Sequence, residues 1–221
     1  MTLRPLAAAA MLGLLAATAA TTGCSSTYYR AMESFGVQKR DLLVDRVESA
    51  RDAQEAAKEQ FQTALERFKA TVAFDGGSLE QAYNSLQREY DRSKDRADAV
   101  KSRIESIESV AEALFEEWDA ELEQYSDPSL RRSSEQQLNA TRSRYAELLT
   151  RMKDAERSMQ PVLRSLGDRT LFLKHNLNAA AIASLQDEAV NLEKDIDGLV
   201  RDMERAINEA NDFISQMQTG S

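Results

Sequence analysis

The chain is poor in the residues that most often build catalytic and metal sites. Its 221 residues include one cysteine, Cys24, and one histidine, His175. A single cysteine excludes a disulfide within the monomer, and a zinc site would have to rely on carboxylates almost alone, which structural zinc sites rarely do. The sequence also lacks phosphate-binding glycine loops, nucleophile elbows, paired-histidine motifs and calcium-binding loops. We therefore expect no enzyme activity, no metal and no cofactor.

Proline, glycine and strand-like alternation are scarce as well. Three prolines and eight glycines are present, and nowhere do apolar and polar residues alternate over the length of a strand. Ala, Glu, Gln, Arg, Leu and Asp dominate instead, which is typical of long helices. The formal net charge is −9, and no clustered basic stripe is present. Because an acidic surface repels phosphates, we expect no nucleic-acid binding.

The N-terminus has the features of a lipoprotein signal peptide. Residues 1–23 contain Arg4, the apolar run LAAAAMLGLLAATAA and the small residues TTG before Cys24. The run is too short to span a bilayer comfortably, and the order of these features is that of a cleaved signal. TTGC is similar to a bacterial lipobox, although Thr21 stands where leucine is usual. We predict cleavage before Cys24 and lipidation of its thiol; the alternative is an ordinary secretory signal followed by a chance cysteine.

The predicted lipid would hold the protein on a membrane without spanning it. Fatty chains contribute roughly 0.8 kcal/mol per buried methylene, and two or more chains suffice for a stable anchor. Beyond Cys24 no stretch approaches 18 apolar residues. Ser25 follows the cysteine, and by resemblance to lipoprotein sorting in two-membrane bacteria, a residue other than Asp favours the outer membrane. Residues 24–27 then form a lipidated tether, and the protein faces the periplasm.

Three short stretches are predicted to separate helices. In FDGGS two glycines end one helix and Ser78 caps the next, with Gln81 three residues on. In SDPS, Asp127 is expected as the N-cap and Pro128 as the first helical residue, where a missing N–H has no cost. The third is Gly167 followed by Asp168, close to Pro161, which could instead kink a continuous helix.

Apolar stripes with alternating spacings of three and four residues run between these turns. The longest contains Leu79, Tyr83, Leu86, Tyr90, Ser93, Ala97, Val100, Ile104, Ile107, Ala111, Leu114, Trp118 and Tyr125. The last contains Ile182, Leu185, Ala189, Leu192, Ile196, Leu199, Met203, Ala206, Ala210, Phe213 and Met217. A sustained period of 3.5 residues is the mark of coiled-coil packing.

These stripes predict an all-α fold: an elongated antiparallel coiled-coil helical bundle of three to four long helices, forming one domain over 28–217. The helices are expected at about 28–73, 79–125, 129–166 and 169–217, and the last two could form one kinked helix. Many stripe positions are Ala, Ser or Thr, which bury little apolar surface. We therefore expect the coiled coil to bind a protein partner or to self-associate.

The stretch LFLKHNLNAAAI breaks the pattern. When the last stripe is extended backwards from Ile182, His175 and Asn178 fall where apolar residues are expected. One interpretation is a buried polar layer that fixes the register of the helices. The other is a partner-binding, ligand-binding or pH-sensitive site formed by Lys174, His175, Asn176 and Asn178, because histidine titrates near neutrality.

Several long motifs resemble a bacterial envelope family that carries the domain of unknown function 2959. They are TGCSSTYYRAMESFGVQKRDLLVDRVESARDAQEAAKEQF, FDGGSLEQAYNSL, ESVAEALFEEW and LFLKHNLNAAAIASL. The resemblance implies a lipoprotein with a helical, coiled-coil fold, and it implies no activity. Relatives of this type often carry a helix-compatible residue where this chain has Gly167, which favours a continuous C-terminal helix.

The resulting functional prediction is a lipid-anchored, periplasm-facing coiled-coil protein with a scaffolding or partner-binding role in the cell envelope. Its partners are expected to be the membrane, through Cys24, and a protein. The alternative is a ligand or pH sensor, or an envelope enzyme, centred on Lys174, His175 and Asn176.

Overall fold

The structure is a computed structural model, and it describes residues 38–73, 76, 78–176 and 178–219. All regular secondary structure in these ranges is helical, which confirms the all-α prediction. The helices are α1 Lys39–Val72, α2 Leu79–Leu122, α3 Pro128–His175, α4 Ala179–Ser184 and α5 Gln186–Thr219. At 1.5 Å per residue the four long helices measure about 51, 66, 72 and 51 Å.

The four long helices form an antiparallel ring around one core. Each packs against two neighbours, in the order α1, α2, α3, α5 and back to α1, while the short α4 lies against α5 and α1. This is the up-down-up-down bundle that short connections favour. The predicted last stripe is buried in full, from Ile182 to Met217. The apolar faces of the four helices therefore meet within a single chain.

The bundle has two distinct ends. At the proximal end, where α1 begins, Lys39 Nζ lies 3.0 Å from Glu117 of α2, and Arg40 donates to the backbone carbonyl of Met217 near the end of α5. At the distal end, Gln186 donates to the carbonyl of Val72 at 3.4 Å. The α2–α3 turn is thus proximal, whereas the α1–α2 turn and the α3–α4 turn are distal.

The first two predicted turns are confirmed. The side chain of Ser78 accepts a hydrogen bond from the backbone N–H of Gln81 at 3.3 Å, and Gly76 has a φ of 149°, which residues with a side chain rarely adopt. α1 ends at Val72, one residue before the predicted end, and its predicted start at residue 28 lies outside the described residues. α2 ends three residues earlier than predicted, at Leu122.

The N-cap of α3 also has the predicted form. Asp127 Oδ1 accepts hydrogen bonds from the backbone N–H groups of Ser129, at 2.7 Å, and of Leu130, at 3.4 Å, and Pro128 occupies the first helical position. The Ser129 hydroxyl donates to the same oxygen. The hydroxyl bond from Ser129, followed by these backbone bonds, lowers the pKa of Asp127, because each stabilises the carboxylate.

The third predicted turn is wrong in position. α3 continues through Pro161 and Gly167 and ends at His175, so no helix ends at 166 or starts at 169. Leu166, Thr170 and Leu173 are all buried, at the four-residue and three-residue spacing of the α3 stripe. The continuous kinked helix is wrong as well, because the chain leaves the helix after His175 and starts α4 at Ala179.

Gly167 has a packing role in the middle of α3. A Cβ atom built at this position would lie 3.1 Å from the Cε2 and hydroxyl oxygen of Tyr90 on α2. Real Cβ contacts are rarely so close, so the glycine lets the Tyr90 ring lie directly on the α3 backbone. The residue that suggested a helix end in the sequence is therefore a contact point between two helices.

Charge is distributed unevenly around the ring. α3 has ten basic and five acidic residues, whereas α2 has six against twelve, α5 three against nine, and α1 seven of each. The basic helix therefore lies between the two acidic helices, with the balanced helix opposite. Lys153 pairs with Glu108 of α2, and Arg169 pairs with Glu188 of α5. Exposed pairs are individually weak, but this pattern disfavours any ring in which the two acidic helices, α2 and α5, are neighbours.

Candidate functional site

The predicted Lys174–Asn178 site lies at the distal end, where α3 gives way to α4. Lys174 and His175 form the last turn of α3 and are both exposed. Their position suits a helix C-terminus, whose carbonyl groups attract positive charge. Asn176 is the C-cap: its Nδ2 donates to the carbonyl of Phe172 at 2.9 Å, and its N–H donates to the carbonyl of Leu173 at 3.2 Å.

Asn178 begins the next helix. Its backbone is extended, and its side-chain oxygen accepts from the N–H of Ala181 at 2.9 Å, which makes it the N-cap of α4. Its own N–H donates to the carbonyl of Asn176 at 2.8 Å. The two asparagines thus satisfy backbone groups that helix ends leave unpaired. They let one helix end and another begin within three residues.

The buried polar layer predicted for His175 and Asn178 is wrong, because both residues are exposed. The prediction extended the stripe of the last helix backwards across the turn. His175 ends α3 and Asn178 caps α4, so neither continues the stripe of the last helix. Counting forward along α3 from Leu166 through Thr170 would have placed Leu173 in the core instead. Leu173 is indeed buried, with 1% of its surface exposed.

An exposed apolar pair next to these residues was missed by the sequence reasoning. Leu171 is 56% exposed and Phe172 is 41% exposed. We call Leu171, Phe172, Lys174 and His175 the distal patch. Helical spacing could have identified this patch in the sequence. When Thr170 and Leu173 are assigned to the buried stripe of α3, the two residues between them must point outward.

A groove of about 390 Å³ adjoins the distal patch between α3 and the α4–α5 segment. It is lined by Asp168, Arg169, Phe172, Ser184, Leu185 and Glu188. Arg169 is one of these lining residues; it pairs with Glu188 and donates to the carbonyl of Ser165 at 2.8 Å. The pair with Glu188 links α3 to α5 three residues before Phe172, so the patch lies on a braced helix end.

The described residues contain no candidate metal site and no candidate membrane span. Within them, no group of three or more His, Cys, Asp or Glu side chains could hold a metal ion. The helices in the same ranges are also all too short or too polar for any to cross a membrane. Cys24, the predicted lipidation site, and the signal peptide lie outside the described residues.

Comparison with known proteins identifies a family and nothing more specific. The model of a family described as "Protein of unknown function (DUF2959)" matches residues 28–217. No curated protein and no solved structure matches the chain. The match spans all four long helices almost to the end of α5, and it takes in both the distal patch and the proximal α2–α3 turn.

Proposed function

The chain belongs to the DUF2959 family of unknown function, and we propose that it is a lipid-anchored, periplasm-facing helical protein that holds a protein partner in the cell envelope. The observation that carries the proposal is the exposure of Leu171 and Phe172 at the end of a braced helix. Large apolar side chains that adjoin on a protein surface are a common mark of an interaction site.

We assign the membrane anchor and the partner-binding patch to opposite ends of the bundle. The chain enters the bundle at the proximal end, where Lys39 begins α1. An anchor at Cys24 would therefore hold the proximal end near the membrane. Ser25 follows the cysteine and favours the outer membrane as the site of the anchor. The distal patch lies at the far end of α3, a helix about 72 Å long. Such a molecule would present its patch well away from the lipid surface.

The patch favours a protein partner over a small ligand. The groove beside it is open, and two of its three charged residues, Arg169 and Glu188, already pair with each other. Leu171 and Phe172 offer apolar area, while Lys174 and His175 add donors at the rim. An apolar centre with a polar rim is the usual composition of a protein interface.

The anchor and the patch are tested by separate experiments. We expect Cys24→Ser to move the protein from the membrane fraction to the soluble periplasmic fraction; unchanged fractionation would contradict the anchor. For the patch, a photo-crosslinking residue replaces Leu171 in intact cells, and the adducts are compared with those from Val190, which is also exposed, at 53%, but on α5. We expect a discrete adduct from position 171 that is absent from position 190.

Substitutions complete the test of the patch. Phe172→Ser should remove the adduct while the melting temperature stays near that of the wild type, because Phe172 is 41% exposed and lies outside the hydrophobic core. His175→Ala in the same assay separates the sensor alternative: an adduct that changes with pH in the wild type and not in this variant would favour it. If position 171 gives no specific adduct, the partner-binding role is refuted.

A further inference from the structure

The proximal end carries two exposed apolar side chains that the proposed function does not use. Tyr125, in the α2–α3 turn, is 42% exposed, and Leu130, in the first turn of α3, is 56% exposed. We call residues 121–132 the hairpin tip. The other exposed large hydrophobic residues in the described ranges are Leu171 and Phe172, at the opposite end of the bundle, and Val190 on α5.

The hairpin tip projects beyond its neighbours. Lys39, the first residue of α1, lies opposite Glu117 of α2, and α2 then continues to Leu122 before the turn begins. Five more helical residues add about 8 Å, and the turn adds to this. Arg40 at the start of α1 contacts Met217 near the end of α5, so α5 stops near the same level. The tip is therefore the most proximal part of the described structure.

The length of the tether brings the tip within reach of a bilayer. Cys24 precedes Gln38, the first described residue of the bundle, by 14 positions. Even a fully extended chain of this length spans at most about 50 Å. A lipid on Cys24 therefore keeps the proximal end within about 50 Å of the bilayer, so the tip can reach the headgroups.

We propose that the hairpin tip is a second membrane contact, in which Tyr125 and Leu130 enter the headgroup region of a phospholipid bilayer and orient the bundle with its distal patch outward. The inference rests on the proposed anchor at Cys24. Tyrosine is favoured at membrane interfaces because its ring is apolar and its hydroxyl stays hydrated. A contact too weak to bind alone becomes effective when a lipid holds it at the surface.

The charges of the tip decide which lipid it fits. Glu121, Glu123 and Asp127 outnumber Arg131 and Arg132, and Arg131 is already paired with Glu123 at 2.5 Å. Basic segments are attracted to anionic lipids, whereas this tip has no excess of positive charge to be attracted. The contact is therefore with zwitterionic headgroups, and it does not depend on anionic lipid.

Trp118 provides a native probe of this contact. It is the only tryptophan of the chain, it lies one helical turn before the end of α2, and its Nε1 donates to Ser134 of α3 at 2.8 Å. The chain from residue 24, which contains every residue of the described bundle, is coupled through its single cysteine to a maleimide phospholipid. It is then placed in phosphatidylcholine vesicles with or without brominated acyl chains, which quench nearby indoles.

We expect brominated lipid to quench Trp118, and the double variant Tyr125→Ser, Leu130→Ser to lose most of this quenching. The matched distal variant Leu171→Ser, Phe172→Ser should retain it. A second reporter, Trp118→Phe combined with Tyr125→Trp, places the only indole in the turn and should be quenched more strongly. Circular dichroism confirms that each variant is folded, which is expected because the substituted side chains are exposed.

Three results would overturn the proposal. They are the absence of quenching for both reporters, quenching that survives the tip variant, and quenching that needs phosphatidylglycerol and disappears in high salt. Crosslinking between two copies through the tip, with no lipid quenching, would assign the pair to self-association instead. Chemical coupling supplies the lipid whether or not cells attach one, so failure here is distinguishable from failure of the Cys24→Ser fractionation test.

Discussion

Gln54 is one of the few polar residues buried among the described helices. Its side chain is fully buried, its Nε2 lies 3.5 Å from the carbonyl oxygen of Met152 on the diagonal helix α3, and its Oε1 has no hydrogen-bond partner among the described residues. An unsatisfied buried polar group destabilises a fold by about 1–3 kcal/mol. Its presence on the α1 stripe resembles the single polar residue that fixes helix register in coiled coils.

Gln54→Leu is expected to raise the free energy of unfolding by about 1–2 kcal/mol, because it replaces an unsatisfied amide with apolar volume. Urea denaturation measures the change. Gln62→Leu, at an exposed position of the same helix, is the control and should have little effect. Destabilisation by Gln54→Leu would show that the amide has a favourable partner, such as a buried water.

Gly167 and Tyr90 are in contact, so the effect of Gly167→Ala on the free energy of unfolding depends on whether Tyr90 is present. Alanine is favoured over glycine in a helix by about 1 kcal/mol, but a Cβ at position 167 would press on the Tyr90 ring at 3.1 Å. We therefore expect Gly167→Ala to be neutral or destabilising in the wild type. In a Tyr90→Ala background it should stabilise by about 1 kcal/mol.

A double-mutant cycle in urea measures this coupling. An equal effect of Gly167→Ala in both backgrounds would contradict the packing explanation. The case also shows a limit of sequence reasoning: a glycine near a proline suggests a helix end, and only the residue facing it on another helix reveals that it is a contact.

At the scale of the helices, the sequence predicted most of the fold. Ser78, Asp127 and Pro128 specify helix starts through hydrogen bonds to nearby backbone groups and a fixed φ. Because these interactions involve only residues close in sequence, they can be predicted from the sequence. The third turn was predicted at the wrong place. It is formed by two asparagines, the C-cap Asn176 and the N-cap Asn178, and lacks the glycine or proline on which the prediction was based. The distal patch was missed for the same reason. Its side chains point outward only if residues 171–175 belong to α3, whereas the sequence prediction assigned them to the last helix.

The N-cap of α3 predicts a pH dependence. Hydrogen bonds from Ser129 and Leu130 lower the pKa of Asp127 in the folded protein, so the folded state favours the carboxylate. The stabilisation is therefore present above the unfolded pKa, about 4, and is lost as the pH falls through the lower folded pKa. Thermal melts of the wild type and Asp127→Asn should converge as the pH is lowered below about 4.

Asparagine is also a good N-cap but does not titrate, so it isolates the charge of Asp127 from its hydrogen bonds. A difference between wild type and variant that stays constant down to the acid limit would refute the assignment. Glu135→Gln, an exposed change further along α3, controls for the general loss of carboxylate charge.

For the whole molecule, the length of α3 predicts an elongated particle in solution. A bundle about 72 Å long and two helices wide has a radius of gyration of about 22 Å, whereas a compact domain of this size has about 16 Å. Small-angle X-ray scattering of the chain from residue 24 is expected to give the larger value for a monomer. A value near the smaller one would mean that the helices fold back on themselves.

The ring order also constrains how the molecule assembles along its sequence. The contacts α1–α2 and α2–α3 join successive segments and need only short loops to close, whereas α5 must pack against both α1 and α3. Until α5 is available, the other three helices lack the fourth side of the core, to which α5 contributes Leu192 and Met203, both fully buried in the complete chain. A chain truncated before Gln186 would therefore expose to proteases and chaperones the faces of α1 and α3 that α5 covers.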